Sequence, residues 1–93
     1  MTQVTVGNTP TKLASAGNRE FLAIYNNDSN PIFLCFDGAT DAALNVALTV
    51  NNGFPLGAGQ WMSLNNDEMK NVNNHDVYAI SAAGNADVRL QGV

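Results

Sequence analysis

Apolar residues in this chain come in short runs, and the breaks between the runs are built from Asn, Asp, Gly, Ser and Pro. That punctuation is the signature of many short strands rather than of helices. Thr2–Val6 alternates, with Val4 and Val6 on one face, and Thr11–Ala14 reads as a weaker second strand. Phe21–Tyr25 and Ile32–Phe36 flank Asn26-Asn27-Asp28-Ser29-Asn30-Pro31, which predicts a hairpin closed by Asp37-Gly38. Residues 40–50 fit two patterns. Asp41 could cap a short helix with Ala43, Leu44, Ala47 and Leu48 on one face, or Leu44, Val46, Leu48 and Val50 could alternate as a strand, with the β-branched residues favouring the strand. Gln60–Leu64 predicts a short strand after the irregular stretch Phe54–Gly59. Val77–Ala82 and Ala86–Leu90 predict a second hairpin around Ala83-Gly84-Asn85, and its last strand turns Ala86, Val88 and Leu90 inward and Asp87, Arg89 and Gln91 toward water.

Six to eight short strands in one chain of 93 residues predict an all-β fold: a single small antiparallel β-sandwich or barrel. Residues 19–93 form the sandwich in this reading, and residues 1–18 are an N-terminal arm or edge strand.

The two predicted hairpins differ in their faces. In the first, all ten strand residues are apolar or aromatic. Successive side chains point to opposite sides of a sheet, so this ribbon is apolar on both. One side packs on a second sheet. The other is covered by another chain, or else by residues 40–59 folding back. Leaving Phe21, Tyr25 or Phe33 in water forgoes about 1.5–3 kcal/mol each, and large apolar patches mark interaction surfaces, so the reading favours another chain. Phe21, Tyr25, Phe33 and Phe36 are the candidate interface residues.

Composition narrows the function. Charged residues are only 13% and the net charge is −4. Lys12, Arg19, Lys70 and Arg89 are scattered, so no basic patch exists for a phosphate backbone, and direct nucleic-acid binding is not expected. Fourteen Asn residues replace the missing charges, many in pairs between apolar runs. No apolar run reaches eighteen residues, so no membrane-spanning helix is expected. Met1-Thr2-Gln3-Val4 has neither the basic nor the apolar region of a secretory leader.

No catalytic constellation emerges. His75 is the only histidine and Cys35 the only cysteine, so no Cys/His zinc spacing can be built. Cys35 reads as a small core hydrophobe, and His75 as a solvated turn residue. Asp37 and Asp41 flank Gly38 without an EF-hand pattern and read as turn carboxylates. Gly57-Ala58-Gly59 precedes no helix, which removes a dinucleotide fingerprint. The expectation is a protein that is not an enzyme, with no cofactor, no metal and no catalytic residue. Trp61 reads as a core residue of its strand. The alternative reading puts it at the surface, stacking a sugar ring among Asn-rich loops.

At fold level the chain resembles small β-sandwich virion proteins of tailed bacteriophages, especially capsid decoration (cement) proteins. The resemblance runs from about Arg19 to Val93. It rests on Arg19–Asn27 as a first core strand ending in an Asn turn, Ile32–Phe36 with Asp37-Gly38, Phe54-Pro55-Leu56-Gly57-Ala58-Gly59-Gln60 as the approach to the next strand, and Val77–Ala82 with Ala86–Leu90 as the close. None of these residues performs chemistry, so the resemblance carries no site. It implies an oligomer, often a trimer, made in the host cytoplasm and seated on the capsid surface of the virion. Its partners would be the major capsid protein or other virion subunits. The alternative is a carbohydrate-binding or receptor-binding β-module on the virion.

Overall fold

The computed structural model describes residues 2–15, 21–36, 40–41, 46–65 and 76–92. They hold ten strands and no helix. Eight strands build two antiparallel sheets of four. Sheet A has the order β1 (Thr2–Val6), β10 (Ala86–Gln91), β3 (Phe21–Asn26), β8 (Trp61–Asn65), and sheet B the order β2 (Thr11–Ala14), β9 (Val77–Ile80), β4 (Ile32–Cys35), β7 (Phe54–Leu56). The short strands β5 (Thr40–Asp41) and β6 (Val46–Ala47) pair with each other. The all-β sandwich read from the sequence is therefore the fold.

Its connectivity corrects both predicted hairpins. β3 does not pair with β4, and β9 does not pair with β10. Each connection crosses from one sheet to the other, as do those from β1 to β2 and from β7 to β8. Position by position, the order of sheet A (β1, β10, β3, β8) answers that of sheet B (β2, β9, β4, β7). This is jelly-roll connectivity. Alternation and turn residues look alike in a hairpin and in an arch between sheets, because the core-facing positions are the same in both. Loop length separates them. Packed sheets lie about 10 Å apart, which needs at least three extended residues to span.

The core lies between the sheets. From sheet A come Val6, Leu22, Ile24, Ala86, Val88 and Leu90, and from sheet B Leu13, Ala14, Ile32, Leu34, Leu56, Val77 and Ala79. The last strand alternates as read, with Ala86, Val88 and Leu90 buried. Within residues 40–50, Thr40–Asp41 and Val46–Ala47 form the β5–β6 pair, and residues 42–45 lie outside the described residues.

Asn-rich segments fold by local hydrogen bonding. The Asp28 amide donates to Asn26 Oδ1 at 3.1 Å, and the Asn30 amide donates to Asp28 Oδ2 at 3.1 Å. The Thr49 amide donates to Asn52 Oδ1 at 2.7 Å.

Candidate interaction surface

The two apolar strands once read as one ribbon now belong to different sheets, so their second faces must be considered separately. On sheet B, the outer side chains of β4 and β9 are Phe33, Cys35, Tyr78 and Ile80. Leu48 and Val50 pack over them to make a second, smaller cluster. Residues 48–53 act as a strap. Gly53 lets it lie close: a Cβ there would sit 2.6 Å from Phe33 Cβ and 2.9 Å from Leu48 Cδ1. The chain covers this face itself, so the folding-back alternative holds here. Phe33 is half-buried under the strap. Phe36 is half-buried against the main core, with its ring 6.1 Å from that of Phe54. Both belong to internal packing.

Sheet A is different. Its outer face is crossed by a register row Gln3, Arg89, Tyr25, Trp61, and beside it runs Gln91, Ala23, Ser63. Along β3 the burial alternates, with Leu22, Ile24 and Asn26 inside and Phe21 and Tyr25 exposed. Phe21 is 43% exposed, Tyr25 36% and Trp61 67%. Trp61 is thus not a core residue. It shares its side of β8 with Ser63, while Met62 packs on the core, and that parity of large with polar residues was present in the sequence. Gly92, at φ 92°, brings the chain end against the Phe21 ring and carbonyl.

Small Ala23 leaves a depression of about 180 Å³ bordered by Tyr25, Trp61, Arg89 and Gln91. This is below the roughly 300 Å³ at which drug-sized pockets begin. Its polar rim is fixed. Arg89 Nε and Nη2 each donate to the Asp87 carboxylate at 3.1 Å, and Asn27 Nδ2 donates to Asp87 Oδ2 at 2.9 Å. Hydrogen bonds from Arg89, then Asn27 and Gln3, hold the Asp87 carboxyl down from the ordinary 3.8 to about 2. The pair neutralises the Arg89 charge, so the surface is aromatic, amide-bearing and close to neutral.

Phe21 and Tyr25, two of the four aromatics expected at an interface, therefore share the open face with Trp61, and Phe33 and Phe36 do not. Sequence reasoning had marked the wet face of β10 but could not place Arg89 beside Tyr25, because strand order is not written in alternation. Asp37, Gly38 and His75 lie outside the described residues. Among the described residues, no group of three or more His, Cys, Asp or Glu could hold a metal, and no helix is long and apolar enough to cross a membrane. No protein-family model, curated protein or solved structure matches the chain.

Proposed function

We propose that this chain is a non-enzymatic structural subunit of a phage virion, most concretely a capsid decoration protein, that works by packing the outer face of sheet A against other virion subunits. One observation carries the reading. The chain covers the outer face of sheet B with its own strap, yet leaves Phe21, Tyr25 and Trp61 open on sheet A. Tyr, Trp and Arg are the residue types that dominate protein interfaces energetically. Exposed aromatics that the fold had the means to cover mark a surface that is covered by something else. The virion assignment itself rests on the resemblance described above. Jelly rolls serve as viral capsid domains and also as lectin domains, so connectivity accommodates this reading without selecting it.

The test is co-sedimentation of the purified chain with heads of the encoding phage that lack it. The chain should pellet with the heads and raise the temperature at which they burst. Tyr25→Ala and Trp61→Ala should each weaken binding at least about tenfold, as loss of an interface anchor does. Unchanged binding by the folded double variant would remove sheet A from the account.

A second reading is favoured by the depression beside Trp61. A neutral sugar ring could stack on the indole while Gln91 and Arg89 bond its hydroxyls. Saturable glycan binding that is lost in Trp61→Ala, together with no affinity for heads, would select this reading over the first.

A further inference from the structure

Edge strands are where sheets recruit neighbours, and natural sheets guard them with charges, prolines, bulges or brevity. Among the described residues there are four edges: β1 and β8 flank sheet A, and β2 and β7 flank sheet B. Both edges of sheet B are guarded. β7 has three residues with Pro55 at its centre. β2 has a register shift between Lys12 and Ala14, and its Lys12 is paired with Asp76 at 3.3 Å. Both edges of sheet A are unguarded: Thr2–Val6 and Trp61–Asn65 each run five residues without proline or charge. The flanks differ. Beside β1 lie the polar Gln3 and Thr5, joined by a hydrogen bond of 3.2 Å. Beside β8 lie the exposed rings of Trp61 and Tyr25. Among the described residues, no strand pairs with the outer side of β8.

We propose that β8 pairs antiparallel with β8 of a second copy of this chain, about a two-fold axis at Ser63, so that two copies of sheet A become one continuous eight-stranded sheet. The inference rests on the reading of this face as a docking surface and names its first partner. Charge permits it. Among the described residues the β8 strand is uncharged and the cation of its face, Arg89, is neutralised by Asp87, so the paired strands Trp61–Asn65 bring no like charges together despite the net −4 of each chain. Symmetry favours β8 on β8 over β8 on β1, because the first closes at two copies and the second leaves ends that keep adding chains. Five paired residues span about 17 Å. With one Trp at each side of the axis the contact is a small one, of the kind that forms weak, reversible associations. Pairing also sets the two aromatic faces side by side, doubling the surface offered to a third protein.

Sedimentation velocity of the full chain, from sub-micromolar to high micromolar concentration, should show a reversible monomer–dimer equilibrium. Ser63 is half-buried on the outer face, so Ser63→Lys should keep the fold. It would set two positive charges opposite each other and weaken the dimer at least about tenfold. Ser63→Cys should give a covalent dimer under mild oxidation, while Thr5→Cys on the outer face of β1 should not. A monomer at every concentration, an open ladder of larger species, or equal cross-linking through Thr5→Cys would each overturn the pairing. Self-association is read with no other protein present, so its failure is distinct from a failure to bind heads.

Discussion

Asn26 ends β3 with its side chain out of solvent, and two chain segments, the β3–β4 loop and residues 56–60, meet on it. Its Nδ2 donates to the carbonyls of Asn30 at 2.9 Å, Leu56 at 3.0 Å and Gly57 at 3.2 Å, while its backbone bonds Gln60 and Gly59. One residue thus ties the β3–β4 arch to the β7–β8 arch. Asn26→Ala would strand the buried Leu56 carbonyl and remove a donor from the part-buried carbonyls of Asn30 and Gly57, so urea unfolding should show a loss of about 1–3 kcal/mol. Ser81 is the opposite case. Its hydroxyl is buried and has no hydrogen-bond partner. Ser81→Ala should be neutral or stabilising by up to about 1 kcal/mol, and a clear loss in the same assay would show that the hydroxyl is satisfied. Asp87 titrates at about 2 in the fold against an ordinary 3.8. A depressed acid stabilises fully above its unfolded value, and that contribution fades as pH falls from about 3.8 through about 2. Asp87→Asn should flatten this part of the acid limb of the stability curve, and identical limbs for variant and parent would contradict the network. The sequence marked Asn26 as a turn former, which it is, but gave no sign of burial. An Asn is buried only when a particular set of carbonyls converges on it, and that convergence comes from distant segments.

Strands were legible in this chain, but their partners were not. Alternation in β10 and the apolar runs of β3, β4 and β9 located the elements. Whether Phe21–Tyr25 lies beside Ile32–Cys35 or faces it across the core depends on whether residues 27–31 turn within a sheet or cross between sheets. Only their number hints at crossing, since a tight hairpin needs as few as two. The difference matters, because a hairpin would make one ribbon apolar on both sides, whereas the arch gives two strands with different fates. The strap over β4 explains one of them, and it depends on Gly53. Gly53→Ala should push residues 48–53 off Phe33 and expose the thiol of Cys35, which is buried in the cluster beneath. Reaction with a thiol reagent should then speed up several-fold under native conditions. An unchanged rate would mean that the strap does not depend on that close approach.

At the scale of the whole molecule, the asymmetry between the sheets is the main result. Sheet B is the more closed: the outer side chains of β4 and β9 are strapped and its edges are blunted by Pro55, brevity, a register shift and Lys12, with Phe54 on β7 left exposed. Among the described residues, sheet A is open on its outer face and along both edges. A small domain buries only about 60% of the surface its unfolded chain exposes, so it gains more than a large one from added contact. Among the described residues, sheet A carries three of the four exposed large hydrophobics, Phe21, Tyr25 and Trp61, while sheet B carries one, Phe54, so most of that gain lies on sheet A. Trp61 is the only tryptophan in the chain and stands on that sheet, where its fluorescence reports directly on cover. Acrylamide quenching of Trp61, in the dilute chain and in the chain bound to purified heads, tests the account most directly. Strong quenching when dilute, with protection and a blue-shifted emission when bound, is the predicted result. Equal quenching in both states would mean that the aromatic face of sheet A is not the surface this protein uses.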